Sequence, residues 1–124
     1  MPLSGEQTAA LMALQVRAQT QHYRAQYPDA EWLVIELEAV EVGRLIRWQG
    51  GSEYRLIDFA LLPDYRGRGL GSWLLRAELR RAEDLRLPLR LQVERSNPAQ
   101  RLYTRLGLTL SGDNGVYLSM ERAL

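Results

Sequence analysis

The sequence has no cysteine, no lysine and a single histidine, and each absence closes off a class of chemistry. Without cysteine there is no thiol nucleophile, no thiolate metal site and no disulfide. Without lysine there is no Schiff base, no lysine general base and no Walker phosphate loop, which needs Gly-Lys followed by Ser or Thr. All 16 basic residues are arginines, so a phosphate would have to be met by guanidinium, hydroxyl or backbone N–H groups. One histidine, His22, excludes a multi-histidine metal site. It continues an apolar helical stripe and reads as a partly buried structural residue, and Ser96 lacks the surroundings of a nucleophile elbow that could pair with it. No apolar run approaches the roughly 18 residues of a membrane span, and the N-terminus has no basic-then-apolar leader pattern. The expectation is a cytoplasmic protein with no membrane partner and no bound metal. A net charge of +1 gives no global reason to expect a nucleic-acid partner.

What is present is an ordinary globular composition, 46% hydrophobic and 25% charged, in 124 residues. That length suits one domain over 1–124, large enough to bury a core unaided. Ser4-Gly5-Glu6-Gln7 looks like a capping box opening a helix over 4–25, with Leu11, Leu14 and Ala18 on one stripe. Strands follow at Trp32–Glu38, Val42–Trp48 and Tyr54–Leu62, the last nearly continuous in apolar character, as for a central strand. Pro63 ends it, and a helix runs from the glycine turn to about Leu85, packing through Leu75, Leu79, Ala82 and Leu85. Leu89–Glu94 alternates as a half-buried strand. Asn97-Pro98 starts a helix that Gly107 closes, and two short strands flank Asn114-Gly115. The order α-β-β-β-α-β-α-β-β predicts an α/β fold: a mixed sheet with helices on both faces.

The stretch Arg66-Gly67-Arg68-Gly69-Leu70-Gly71, between a strand and a helix, has the makings of an anion site. Glycine lets the chain bend and approach a ligand closely, and the helix that follows offers unpaired N–H groups and a positive dipole end. A dinucleotide fingerprint would put its third glycine at Ser72, and it would sit earlier in the chain. A phosphorylated ligand is the expected guest.

Leu61-Leu62-Pro63-Asp64-Tyr65-Arg66-Gly67-Arg68-Gly69-Leu70-Gly71 closely resembles the acyl-CoA-binding signature of the GNAT family of N-acetyltransferases. That signature is Arg or Gln, two residues, Gly, one residue, then Gly or Ala, carried here by Arg66, Gly69 and Gly71. Asn97-Pro98-Ala99 with Tyr103-Thr104-Arg105-Leu106-Gly107-Leu108 resembles the family's second block. The resemblance implies a GNAT-like acyl-CoA fold and transfer of an acetyl group from acetyl-CoA to a primary amine. It places the coenzyme A pyrophosphate on the N–H groups from Gly67 to Ser72, around Arg68 and Leu70. The pantetheine arm would pair with the strand at Leu61 and Leu62, beside Asn97. Tyr103 would be the general acid at sulfur, with Asp58 or Glu94 as base.

A charge in a central strand is costly unless paired or solvated, so Asp58 must line a cavity, meet an arginine or be partly exposed. Tyr103 also lies on its helix's apolar stripe, where it could simply pack. With no cysteine, transfer by direct attack in a ternary complex is expected. The alternative is an acyl-CoA-binding module with little turnover. Family members usually begin with a further strand and helix, so the strand at Trp32–Glu38 is expected to have an open edge, and either the chain forms a homodimer or it derives from a shortened open reading frame.

Overall fold

The computed structural model describes residues 26–124. The expected helix over 4–25, with its capping box and His22, lies outside the described residues. Six strands form one mixed sheet: β1 (Glu31–Leu37), β2 (Val40–Gln49), β3 (Tyr54–Leu61), β4 (Leu89–Glu94), β5 (Thr109–Asp113) and β6 (Tyr117–Arg122). Their spatial order is β1-β2-β3-β4-β6-β5. Only β3 and β4 run parallel; the other neighbours are antiparallel. Among the described residues, α1 (Leu70–Asp84) crosses over from β3 to its parallel partner β4, and α2 (Gln100–Arg105) leads from β4 to β5 at the far edge.

Both described helices lie on the same face of the sheet. Leu75, Leu79 and Ala82 of α1 and Tyr103 of α2 share one buried cluster with Leu45, Leu56, Leu61, Leu91 and Val93. The sequence suggested helices on both faces; among the described residues they lie on one. Leu85, expected on the packing stripe, sits beyond the last turn of α1 and is 41% exposed. The stripe instead includes Glu78, which is buried. β1 lies at one edge of the sheet, as expected, with Val34 on its exposed surface.

The chain reversals divide by residue type. At the end of α2, Gly107 takes φ +97°, the Gly107 N–H donates to the Thr104 carbonyl at 3.1 Å and the Leu108 N–H to the Tyr103 carbonyl at 3.0 Å. This is a Schellman closure at the glycine the sequence offered for it. The end of α1 closes the same way through Arg86 at φ +57°, a residue with no intrinsic liking for that region. The β1–β2 turn likewise sets Glu38 and Ala39 at φ +53° and +65°.

Gly43 in β2 has a different reason for being glycine. A Cβ there would lie 2.3 Å from the Ala60 carbonyl oxygen, a main-chain atom that cannot step aside. Gly43→Ala is therefore expected to destabilise the fold by about 2–3 kcal/mol, read as a lower urea midpoint. An unchanged midpoint would show that β2 and β3 have room to separate.

Candidate active site

The site begins with a failure of pairing. β3 and β4 are matched for three residue pairs, Tyr54 with Leu89, Arg55 with Arg90 and Leu56 with Leu91, and then diverge. From Ile57 onward β3 turns its β4-facing edge into open space, as does β4 from Gln92. Main-chain donors and acceptors left in this way need a partner from elsewhere. The gap is a cleft of about 240 Å³, and Asp58, Phe59, Glu94, Asn97, Tyr103 and Tyr117 are among its lining residues. It opens at the carboxyl ends of the two parallel strands, where both following helices begin, the usual place for a ligand in a sheet of this kind.

A bulge decides what faces the cleft. Ile46 pairs with Asp58 and Arg47 with Leu56, so Ile57 has no partner in β2. The extra residue reverses the alternation. Leu56 and Phe59 pack toward the helices, whereas Asp58 falls on the opposite face, beside Ile46 and Arg44. There its carboxylate accepts a hydrogen bond from Arg44 Nε within an ion pair. Arg44 is buried at 7% exposure, and Asp58 also borders the cleft. The three environments open to Asp58 in the sequence thus occur together. Glu94, at the end of β4, is exposed and lines the same cleft.

Tyr103 approaches from the helix side. It is 8% exposed, yet it lines the cleft, so packing and access are compatible at this position. Burial, and secondarily the Asp58 carboxylate, push its hydroxyl up to about 12, so the group stays protonated and able to donate at neutral pH. Asn97 is exposed at the cleft wall. Its Oδ1 accepts from the Ala99 N–H at 2.9 Å. The sequence suggested a helix starting at Asn97-Pro98. The first turn is instead a run of i→i+3 bonds, Gln100 N–H to the Asn97 carbonyl and Arg101 N–H to the Pro98 carbonyl, and regular α-helix begins at Gln100. Asn97 thus closes a turn ahead of the helix, whose N-cap is Ala99, and is not itself the cap.

The glycine turn leads from β3 into α1 through a single 3₁₀ turn at Pro63–Tyr65. Gly67 and Gly69 both take left-handed φ, +74° and +81°, and Gly69 is the N-cap of α1. A Cβ at either would meet nothing of the protein within 4 Å, so the glycines serve the backbone shape and keep its outer surface clear. Gly71 differs: a Cβ there would only touch Leu102 and Leu61 at ordinary distances. The first helical bond runs from the Trp73 N–H to the Gly69 carbonyl at 3.0 Å, which leaves the N–H groups of Leu70, Gly71 and Ser72 at the unpaired end. Arg66 and Arg68 looked like rim cations in the sequence. Arg66 Nε instead donates to the Leu61 carbonyl at 3.0 Å, and the Arg68 guanidinium lies 5.4 Å from the centre of the Tyr65 ring. Both side chains stay exposed while making these contacts, and the turn's own N–H groups are main chain.

The residues that sequence reasoning missed are Arg44, Gln92 and Tyr117. Arg44, set between glycine and leucine in a strand, was itself a signal, since a buried arginine needs a carboxylate. Gln92 and Tyr117 gave none, because only the splay brings them to the cleft.

A glycine turn at a helix N-terminus, a splayed parallel pair and a buried tyrosine beside the splay are the elements of the site. Residues 28–108 match the family model described as the acetyltransferase (GNAT) domain, and the chain belongs to the GNAT family. It is 36% identical over 94 residues to a Bacillus subtilis protein named as a ribosomal protein bS18-alanine N-acetyltransferase, a match covering 73% of this chain and 62% of that one. The chain therefore spans less than two-thirds of that relative's length. Among solved structures, the PaiA N-acetyltransferase of Thermoplasma acidophilum in complex with coenzyme A superposes with TM-score 0.67 at 24% identity, over 82% of this chain and 65% of that one. A GNAT acetyltransferase of Elizabethkingia anophelis with acetyl-CoA bound gives 0.70 at 15% identity, over 83% and 82%. These likenesses show the fold.

Proposed function

We propose that this protein moves an acetyl group from acetyl-CoA to a primary amine by direct attack within a ternary complex. The observation that carries the reading is the splay after Leu56 and Leu91, which opens a cleft lined by Asn97 and Tyr103 along the strand that leads to the glycine turn. The N–H groups from Gly67 to Ser72 hold the pyrophosphate, with the α1 dipole favouring its charge. The free edge of β3 toward Leu61 and Leu62 takes the amide-bearing arm as an added strand, and Asn97 borders it. The thioester, when bound, supplies the activated acyl carbon.

The chain's own part is to manage protons and charge. The amine nitrogen bonds to the acyl carbon as the carbon–sulfur bond breaks, and the amine proton must leave. Asp58 is engaged in an ion pair with Arg44, whereas Glu94 is exposed and has no ion-pair partner among the described residues. Glu94, directly or through water, is the better base, and Asp58 with Arg44 fixes the field on that side. Tyr103 donates to the departing sulfur. The two faces divide the work: helices and cradle on the thioester side, Asp58 and Arg44 on the amine side. The relative's name makes an alanine amine of a protein the first acceptor to try.

The test is release of free thiol from acetyl-CoA with a panel of amines and alanine-first peptides, beside calorimetry with coenzyme A. Turnover with at least one amine is expected, and Glu94→Gln should lower it by about tenfold to a hundredfold, more than Asp58→Asn does. Tight binding with no turnover on any amine would favour an acyl-CoA-binding module. No binding at all would remove both readings.

A further inference from the structure

On the face of the sheet turned away from α1 and α2 lies a second cavity, of about 370 Å³. Arg55, Ile57, Gln92 and Tyr117 line it, together with Gln26 and with Tyr27, whose ring lies 5.1 Å from that of Trp48. Leu56, Ile57, Gln92 and Tyr117 also line the cleft, so the two spaces meet at these four residues. Leu56 belongs to the core, and Ile57 has no polar side-chain atom. The polar side chains at the junction are therefore Gln92 and Tyr117, and neither makes a hydrogen bond among the described residues.

The charges around the junction narrow what can dock there. No carboxylate lines this second cavity among the described residues. Its charged residue, Arg55, donates to both oxygens of Glu53 at 3.2 and 3.0 Å, and the neighbouring Arg90 to Glu121 at 2.9 Å and Glu53 at 3.4 Å. Asp58 is paired with Arg44, and Glu94 stands in the cleft, two residues or ~6.6 Å along β4 from Gln92. An ammonium group in this cavity would meet a guanidinium and no anion. A neutral amine would meet two oxygens that accept its N–H groups and leave its lone pair free. We infer that Gln92 and Tyr117 position the acceptor nitrogen, and that the acceptor is the terminal α-amine of a peptide, not a lysine side chain or a polyamine. The inference rests on the acetyl-transfer reading given above. An α-amine ionises at about 7.7–8.0 and a lysine amine at about 10.4, so at pH 7.5 about a third of the first is neutral and about one part in a thousand of the second. Gln26 and Tyr27 offer amide and hydroxyl partners to the main chain that follows the amine. In the transfer the lone pair forms the bond to the acyl carbon, and the sulfur leaves with the pair of the broken bond and takes the Tyr103 proton. The surplus proton on nitrogen passes to Glu94.

The experiment measures thiol release from acetyl-CoA by the full chain at pH 7.5 with three acceptors. These are an alanine-first peptide, the same peptide with its α-amine blocked and one lysine added, and spermidine. For the free α-amine, kcat/KM should exceed that for either of the others by about a hundredfold or more. Gln92→Leu, which keeps the bulk and removes the acceptor oxygen, should lower kcat/KM for the α-amine by about tenfold and leave coenzyme A affinity within about twofold by calorimetry. Gln92→Glu puts a carboxylate where the nitrogen sits; it should raise the rate on the lysine peptide and shrink the preference by about tenfold or more. Disturbed packing alone would raise no rate. A parent protein that acetylates the lysine peptide or spermidine as well as the α-amine would overturn the inference and leave acetyl transfer standing. So would an unchanged kcat/KM in Gln92→Leu or an unchanged preference in Gln92→Glu. No thiol release with any of the three would remove the transfer reading and this inference with it.

Discussion

Tyr103→Phe is expected to lower kcat for amine acetylation by about a hundredfold while the affinity for coenzyme A changes by no more than about twofold. The substitution removes one oxygen and keeps the ring, which fills the space between β3, β4 and α2. If the hydroxyl only packs, the rate should hardly move. If it donates to the leaving sulfur, the loss falls on kcat, because the bond forms as charge develops there.

The pH behaviour sharpens the test. The Tyr103 hydroxyl is raised from 10 to about 12, so in the folded protein it is neutral through the whole working range. It should add no falling limb to the rate between about pH 7 and pH 10. The sign for stability follows from the same shift. A group whose pKa rises on folding stabilises the fold below its unfolded value, here near 10, and that contribution fades as pH climbs toward about 12. The Phe variant should therefore lose less stability than the parent in that alkaline window. A steeper loss in the variant would contradict burial as the cause.

The second large effect concerns stability. Glu78→Ala should cost about 3–5 kcal/mol and lower Tm by about 10–20 °C. Glu78 is 4% exposed on α1 and holds Arg47 through both carboxylate oxygens, at 3.1 and 3.0 Å. It also accepts from the Tyr54 hydroxyl at 3.0 Å. Removing it strands a largely buried guanidinium whose Nε already has no hydrogen-bond partner. The damage comes from the cation left behind more than from the bond lost. Glu78→Gln, which keeps an acceptor for Tyr54, should cost clearly less. Urea unfolding of the two variants checks this ranking, and an Ala variant within 1 kcal/mol of the parent would show that water or Glu31 satisfies Arg47 instead.

Much of this was legible from residues alone, wherever the signal is local. The alternation of Leu89–Glu94 gives β4 to the residue, and Asn114-Gly115 gives the β5–β6 turn, with Gly115 at φ +93°. The three glycines and the strand before them locate the cradle. What was illegible depends on partners distant in sequence. The bulge at Ile57 arises from how β2 and β3 settle together, and no residue type announces it. Glu78 looks like any solvent-facing glutamate of an amphipathic helix until Arg47 and Tyr54 are folded against it. The same holds for Arg66, where position predicted a cation but not that it would turn inward to Leu61. Arg86, Glu38 and Ala39 take left-handed backbone without the glycine or asparagine that would have marked them.

A sheet that opens along its middle must be held together by something other than its own ladder. Here three rungs join the halves, and α1 lies across both of them as a splint. Glu78 fastens it to β2 and β3, Glu83 to Arg122 in β6, and Leu75, Leu79 and Ala82 to the core beneath. The same helix presents the amides of the cradle at its first turn. Cohesion and the proposed capture of ligand are thus loaded onto one fifteen-residue rod, so occupancy of the cradle would be felt as stiffness across the described sheet.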